Sequence, residues 1–341
     1  MAVKTLETGE APKILIKNVG NNLQINGWNR PEVMLTSKTE DAALKMQDEI
    51  IQVVCPNNCE LRVPHKSSLE IGSIGNNARI RLVDGTIALK AVGNSLLLQD
   101  VGETTLNAVG NKLSASRVRG DLKIGQIGAN AMIAEVTGQV ALEAVNGKLN
   151  LSKVGGGVNA TVGGKALVEL SPVSWQAYEI NVSGALHCIV PADVDARFDI
   201  HCGRERIRIS QPDGTETIRS REHTFTLGSG EGTVRLSAGG RVDLTVTDGQ
   251  PGEDHGLDFE IEKTFARARE SLGTTATYST MRTTFARARE SLEQRSRTSS
   301  PSKRTGKSVS DEEQLMILQM LQNGQISAEQ ADQLLAALEG S

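Results

Sequence analysis

Aromatic residues make up only 3% of this chain, two of them Trp and two Tyr. A β-sandwich of this length draws its core from large rings, so the scarcity points to a narrow core of Val, Leu, Ile and Ala. No run of 18 apolar residues occurs, which excludes a membrane-spanning helix by hydropathy. The opening MAVKTLETGEAPKILIK lacks the apolar centre of a signal peptide, and a cytoplasmic location is the expectation. Four cysteines in 341 residues do not form a disulfide framework. A net charge of −4 gives no overall field favouring nucleic acid or membrane.

What the chain does have is repetition. A β-branched residue returns at Ile74, Val83, Val92, Val101, Val109, Val118, Ile127, Val136, Val145, Val154 and Val162. The step is nine residues, with two steps of eight. Glycine follows within one or two places, and apolar residues often stand four and six places on, as in VTGQVALEA and VDGTIALKA. A turn followed by alternation is a short half-buried strand, and a fixed period of this kind marks a solenoid. Glycine directly follows the β-branched residue in some units and comes one place later in others. The true repeat is therefore a pair of units of about 18 residues, a coil of two strands and two turns rising about 4.8 Å. The fold class expected is an all-β solenoid, followed by short α-helical segments and a C-terminal helical hairpin.

Along the chain, residues 1–12 read as a loose arm and 13–248 as the β-solenoid domain. KILIKNVGNNLQINGW carries the repeat phrase early, and a polar stretch around Asp41–Asp48 separates further strands. Residues 262–310 change character. TFARARESL occurs at 264–272 and again at 284–292, with Phe265, Ala268 and Leu272 on one helical face. This segment holds 11 Lys and Arg against 4 Glu, a local charge of +7. Arg267, Arg269, Arg287 and Arg289 are its candidate contacts to an anionic surface. Residues 311–340 read as two short helices. Ser310 with Glu313, then Ser327 with Gln330, form capping boxes, and Asn323-Gly324 supplies the stop. Leu315, Leu318, Leu321, Ile326, Leu334, Leu335 and Leu338 exceed what two short helices bury against each other, so they are candidate partner-binding residues.

No catalytic constellation emerges. Cys55 and Cys59 in CPNNC, with His187-Cys188 and His201-Cys202, resemble metal pairs, but each His-Cys pair lies in an alternating strand and sends one residue inward. Buried structural cysteine is the expectation, without metal or cofactor. The turns carry too little aspartate for a calcium-binding β-roll. Gly163-Gly164-Lys165 and Gly306-Lys307-Ser308 resemble the tail of a phosphate-binding loop, yet its first glycine is replaced by Asn159 and Pro301. Trp28, Trp175 and Tyr178 read as caps or edge covers.

LQINGWNRPEVMLTS, CELRVPHKSSLEIGSIGNNARIRLVDGTIAL and TLGSGEGTVRLSAGGRVDLTV resemble a bacterial adhesin-type β-solenoid family, a domain of unknown function, over roughly 13–248. SDEEQLMILQMLQNGQISAEQADQLLAALEG is similar to the short SHOCT-like helical domains that accompany it. The resemblance implies a bacterial, non-enzymatic protein with a role in envelope-stress sensing or assembly, and it supplies no catalytic residues. The leading expectation is a cytoplasmic scaffold whose hairpin recruits a protein partner or self-associates. An anionic-membrane module acting through 264–292 is the second, and a carbohydrate-acting enzyme the third; nucleic acid is not expected.

Overall fold

The computed structural model describes residues 2–38 and 41–248, which form strands and turns and no helix. The strands make two sheets, one of fourteen and one of thirteen. Along the regular part of the chain they fall in the two sheets alternately, and every neighbour there is parallel. Ile87–Val92, Thr104–Val109, Leu122–Ile127 and Val140–Val145 are successive members of the thirteen-stranded sheet. Ser95–Val101, Lys112–Val118, Ala131–Val136 and Leu149–Val154 are their counterparts in the other. This is a solenoid-like β-helix with two strands per coil. Val109 lies opposite Val92, 17 residues earlier, and opposite Ile127, 18 residues later. The expected helical segments at 262–310 and 311–340 lie outside the described residues.

The β-branched residues stack in two columns. Ile74, Val92, Val109, Ile127, Val145 and Val162 form one. Val83, Val101, Val118, Val136 and Val154 form the other. Each is buried, and they belong to one continuous hydrophobic cluster. An isolated coil cannot hide these side chains, so stacking supplies their burial, worth about 1.5–3 kcal/mol for each large aliphatic side chain.

The nine-residue period has a mechanical cause. Simple alternation has period two, so an odd repeat would turn every second unit inside out. One residue per strand therefore has to break phase. In the fourteen-stranded sheet that residue sits just before the column valine and takes positive φ: Leu82 (56°), Asp100 (54°), Arg117 (53°), Glu135 (57°) and Lys153 (53°). Each is skipped by the ladder, and the following valine returns to the core. None of the five is glycine, and a left-handed conformation costs an L-residue about 1 kcal/mol. Four of them carry charges of alternating sign, one coil apart. Arg117 donates twice to Asp100, at 2.5 and 2.8 Å, and this holds the Asp100 carboxyl below its ordinary pKa.

The opposite turns are bound by an amide ladder. Nδ2 of Asn22, Asn77, Asn94 and Asn111 each donates to the Oδ1 of the coil below, beginning at Asn58, over 2.9–3.2 Å. Cooperative side-chain chains of this kind fix the spacing of turns as the main chain fixes the strands.

The ends are built out of chain order. The coil Lys13–Val19 with Leu23–Trp28 is inserted between that of Ile50–Cys55 with Cys59–Pro64 and that of Ser68–Ile74 with Ala78–Val83. At the far end, Gly232–Ala238 with Val242–Thr247 is inserted inside Ala196–Cys202 with Ile207–Gln211. Antiparallel strands then cover the outer edges: Ala43–Gln47, Glu32–Ser37 and Ala2–Glu7 at one end, Glu222–Leu227 and Gly214–Ile218 at the other. They end the parallel ladder and protect its edges. Four expectations are corrected here. Part of the 1–12 arm is a strand, because its alternation pairs with Glu32–Ser37, and Asp41–Asp48 contains the strand Ala43–Gln47. Tyr178 is no edge cover: it is buried in the core, its hydroxyl accepting from the Val173 amide at 3.3 Å. Trp175 is 78% exposed and covers nothing described.

The phase-break residues make a prediction opposite to ordinary strand propensity. Arg117→Gly relieves a left-handed strain that offsets the lost ion pair, whereas Arg117→Ala loses the pair and keeps the strain. The glycine variant is expected to be more stable than the alanine variant by about 1 kcal/mol in urea unfolding. Equal stability, or a better alanine variant, contradicts the assignment.

Candidate functional site

The candidate metal pairs dissolve into core positions. Cys55, Cys59, Cys188 and Cys202 are free and buried. Burial pushes the Cys188 thiol up to about 12, and both Cys55 and burial raise that of Cys59. The Cys202 Sγ lies 3.0 Å from the Gly240 carbonyl and 3.3 Å from that of Arg206. His187 and His201 point outward, as alternation requires. His201 meets Glu222 at 3.4 Å on an open face beside Asp199 and His223, with both side chains mostly solvated. Among the described residues no three His, Cys, Asp or Glu side chains group as metal ligands.

The most organised polar feature is a basic edge at one corner of the coil. The turns entering the fourteen-stranded sheet read Gly147-Lys148, Gly164-Lys165, Gly184-Ala185 and Gly240-Arg241. Their glycines form a backbone column. The amide of Gly164 donates to the Gly147 carbonyl at 3.0 Å, Gly184 to Gly164 at 2.8 Å, and Gly240 to Gly184 at 2.8 Å. A Cβ on Gly164 would sit 2.3 Å from the Gly147 oxygen, so no larger residue fits that turn. Each cation thus projects from a turn held at fixed height. Arg204 and Arg206 extend the row, and the groove between these side chains encloses about 720 Å³.

Lys148, Lys165, Arg204, Arg206 and Arg241 face one lining acid, Asp243, leaving a formal +4 in the groove. Asp243 accepts from Arg241 at 2.8 Å. His187 lines the same groove and bonds Thr245 at 3.0 Å. Desolvation holds its imidazole below the ordinary pKa, with Asp243 opposing and Arg241 reinforcing the shift. Cations repeated at the strand spacing attract an extended anionic surface more than a single small anion.

Gly163-Gly164-Lys165, noted in the sequence only against phosphate loops, is one member of this row. The signal that reveals it is a cation after the corner glycine at Gly147-Lys148, Gly164-Lys165 and Gly240-Arg241, interrupted by Gly184-Ala185. Arg267, Arg269, Arg287 and Arg289, and Leu315, Leu318, Leu321, Ile326, Leu334, Leu335 and Leu338, lie outside the described residues, as does Gly306-Lys307-Ser308.

Comparison with known proteins bears mainly on the C-terminus. No curated protein matches the chain. Among solved structures, a candidate cell adhesion protein from Clostridium sporogenes ATCC 15579 is similar at 11% identity, covering 72% of this chain and 98% of that one. Its TM-score of 0.18 carries no weight for fold or function. Residues 312–341 match the SHOCT-like domain family, in agreement with the resemblance read from their sequence.

Proposed function

We propose that this protein is a non-catalytic scaffold, a stiff rod that presents lateral surfaces and carries a SHOCT-like hairpin for recruiting a protein partner or a second copy. The observation that supports it is the unbroken ladder of eleven parallel coils between antiparallel end strands. Ten inter-strand spacings give a rod about 48 Å long. Turns of five neighbouring coils are tied by the asparagine ladder, two phase breaks by the Arg117–Asp100 ion pair, and the interior is a single apolar cluster. Such a body resists internal rearrangement and is suited to holding things apart at fixed distances. The SHOCT-like match at 312–341 supports an attached interaction module.

Self-association or partner binding through the hairpin is tested by sedimentation velocity on the full chain. Leu318→Asp with Leu335→Asp is expected to abolish the association and leave β-type circular dichroism and thermal unfolding unchanged, as is a chain ending at Ser310. If all three proteins run as the same species and recover the same partners, the hairpin has no such role.

The basic edge favours a second reading, contact with an anionic surface. Co-sedimentation with phosphatidylglycerol vesicles is expected to weaken steeply with added salt. It should weaken further on Lys165→Glu with Arg241→Glu, while phosphatidylcholine vesicles bind neither protein. Binding that the double variant leaves unchanged assigns any membrane contact elsewhere, with Arg267, Arg269, Arg287 and Arg289 the next to replace.

A further inference from the structure

The two sheets differ on their outer faces. On the thirteen-stranded sheet, outward residues are solvated even when small: Ala88 and Thr105 are exposed and Ala141 half-exposed. On the fourteen-stranded sheet the corresponding residues are buried. Leu97 is 2% exposed, Ser114 3%, Met132 8% and Ala134 6%. Strand alternation points these side chains away from the core, and Met132 with Ala134 forms a hydrophobic cluster separate from it. The main contacts among the described strands are with their sheet neighbours, and none of these lays a strand across this face. Two charged residues bound the band and are themselves buried, Arg79 at 8% exposure on one side and Glu169 at 4% on the other.

We infer that this band is an intramolecular docking face, and that its occupant is an amphipathic helix formed by residues 257–272. In GLDFEIEKTFARARESLG, Leu257, Ile261, Phe265, Ala268 and Leu272 follow spacings of four, four, three and four, one continuous helical stripe ending before Gly273. Sixteen helical residues extend about 24 Å. From the strand of Arg79 to that of Glu169 there are five inter-strand steps, also about 24 Å.

Direction agrees with length. The described chain leaves this sheet at the strand Val242–Thr247, two strands beyond that of Glu169 and on its side of the band. Residues 249–256 span at most about 28 Å, enough to reach the Glu169 end but not the Arg79 end, which lies about 34 Å away. The helix therefore starts near Glu169 and finishes near Arg79. That sets the positive end of its dipole on the buried carboxylate and the negative end on the guanidinium.

The four native cysteines are buried, so one added thiol reports on this face alone. In the full chain, Met132→Cys should react with a maleimide at least about tenfold more slowly than Thr105→Cys on the open sheet. Adding Ile261→Asp with Phe265→Asp should bring the Met132→Cys rate to that of the control, with the β-type circular dichroism unchanged. Equal rates at the two positions without those changes overturn the proposal. So does protection that survives Ile261→Asp with Phe265→Asp, or that disappears on dilution, which would make a second copy the occupant.

Discussion

The parallel main-chain ladder is the constraint on which everything else here depends. Once each strand pairs with those one coil above and below, a residue's neighbours along the axis are its counterparts in the flanking repeats. Identical positions must then tolerate contact with their own kind. Valine stacks on valine, asparagine on asparagine and glycine carbonyl on glycine amide. Like charges cannot follow this rule at a spacing of about 4.8 Å without repulsion. Alternation through Asp100, Arg117, Glu135 and Lys153 meets the constraint, whereas Lys148 and Lys165 stand on adjacent coils with like charge, and Arg241, two coils beyond Lys165, is offset by its ion pair with Asp243.

The same rule makes surfaces out of repeats. A choice made once per coil becomes a stripe along the rod. The stripe through Ser114, Met132 and Ala134 is hidden, and the stripe through Thr105, Lys123 and Asn159 is wet. The core beneath the two faces is the same, so the difference is one of surface use. This separation of interior from exterior leaves each outer face free to vary without disturbing the core.

Much of this was legible in the sequence, since fixed spacing translates directly into stacked position. Both β-branched columns, the two-strand coil and the inward cysteines follow from period and alternation alone. The ends were not legible, because insertion of Lys13–Trp28 between later coils is a non-local pairing that no local pattern encodes. The strand Ala43–Gln47 was obscured by its polar residues, which are tolerated where only one neighbour is present. The phase-break column was hidden for another reason: Asp, Arg, Glu and Lys do not announce positive φ as glycine does. The basic edge could have been read from the recurrence of glycine followed by a cation. The expected partner-binding leucines lie beyond the described residues.

Residues one repeat apart sit one strand spacing apart along a single axis. Glu70, Ala141, Asn159 and Glu179 occupy one outward column of the thirteen-stranded sheet. Nitroxide pairs joining a label at position 70 to labels at 141, 159 and 179, introduced through cysteine, span four, five and six steps. Pulsed electron–electron resonance should then give label separations centred near about 19, 24 and 29 Å, rising by about 4.8 Å per coil. Distances that fail to increase by a constant step, or that plateau between 141 and 179, would contradict a continuous stack of coils.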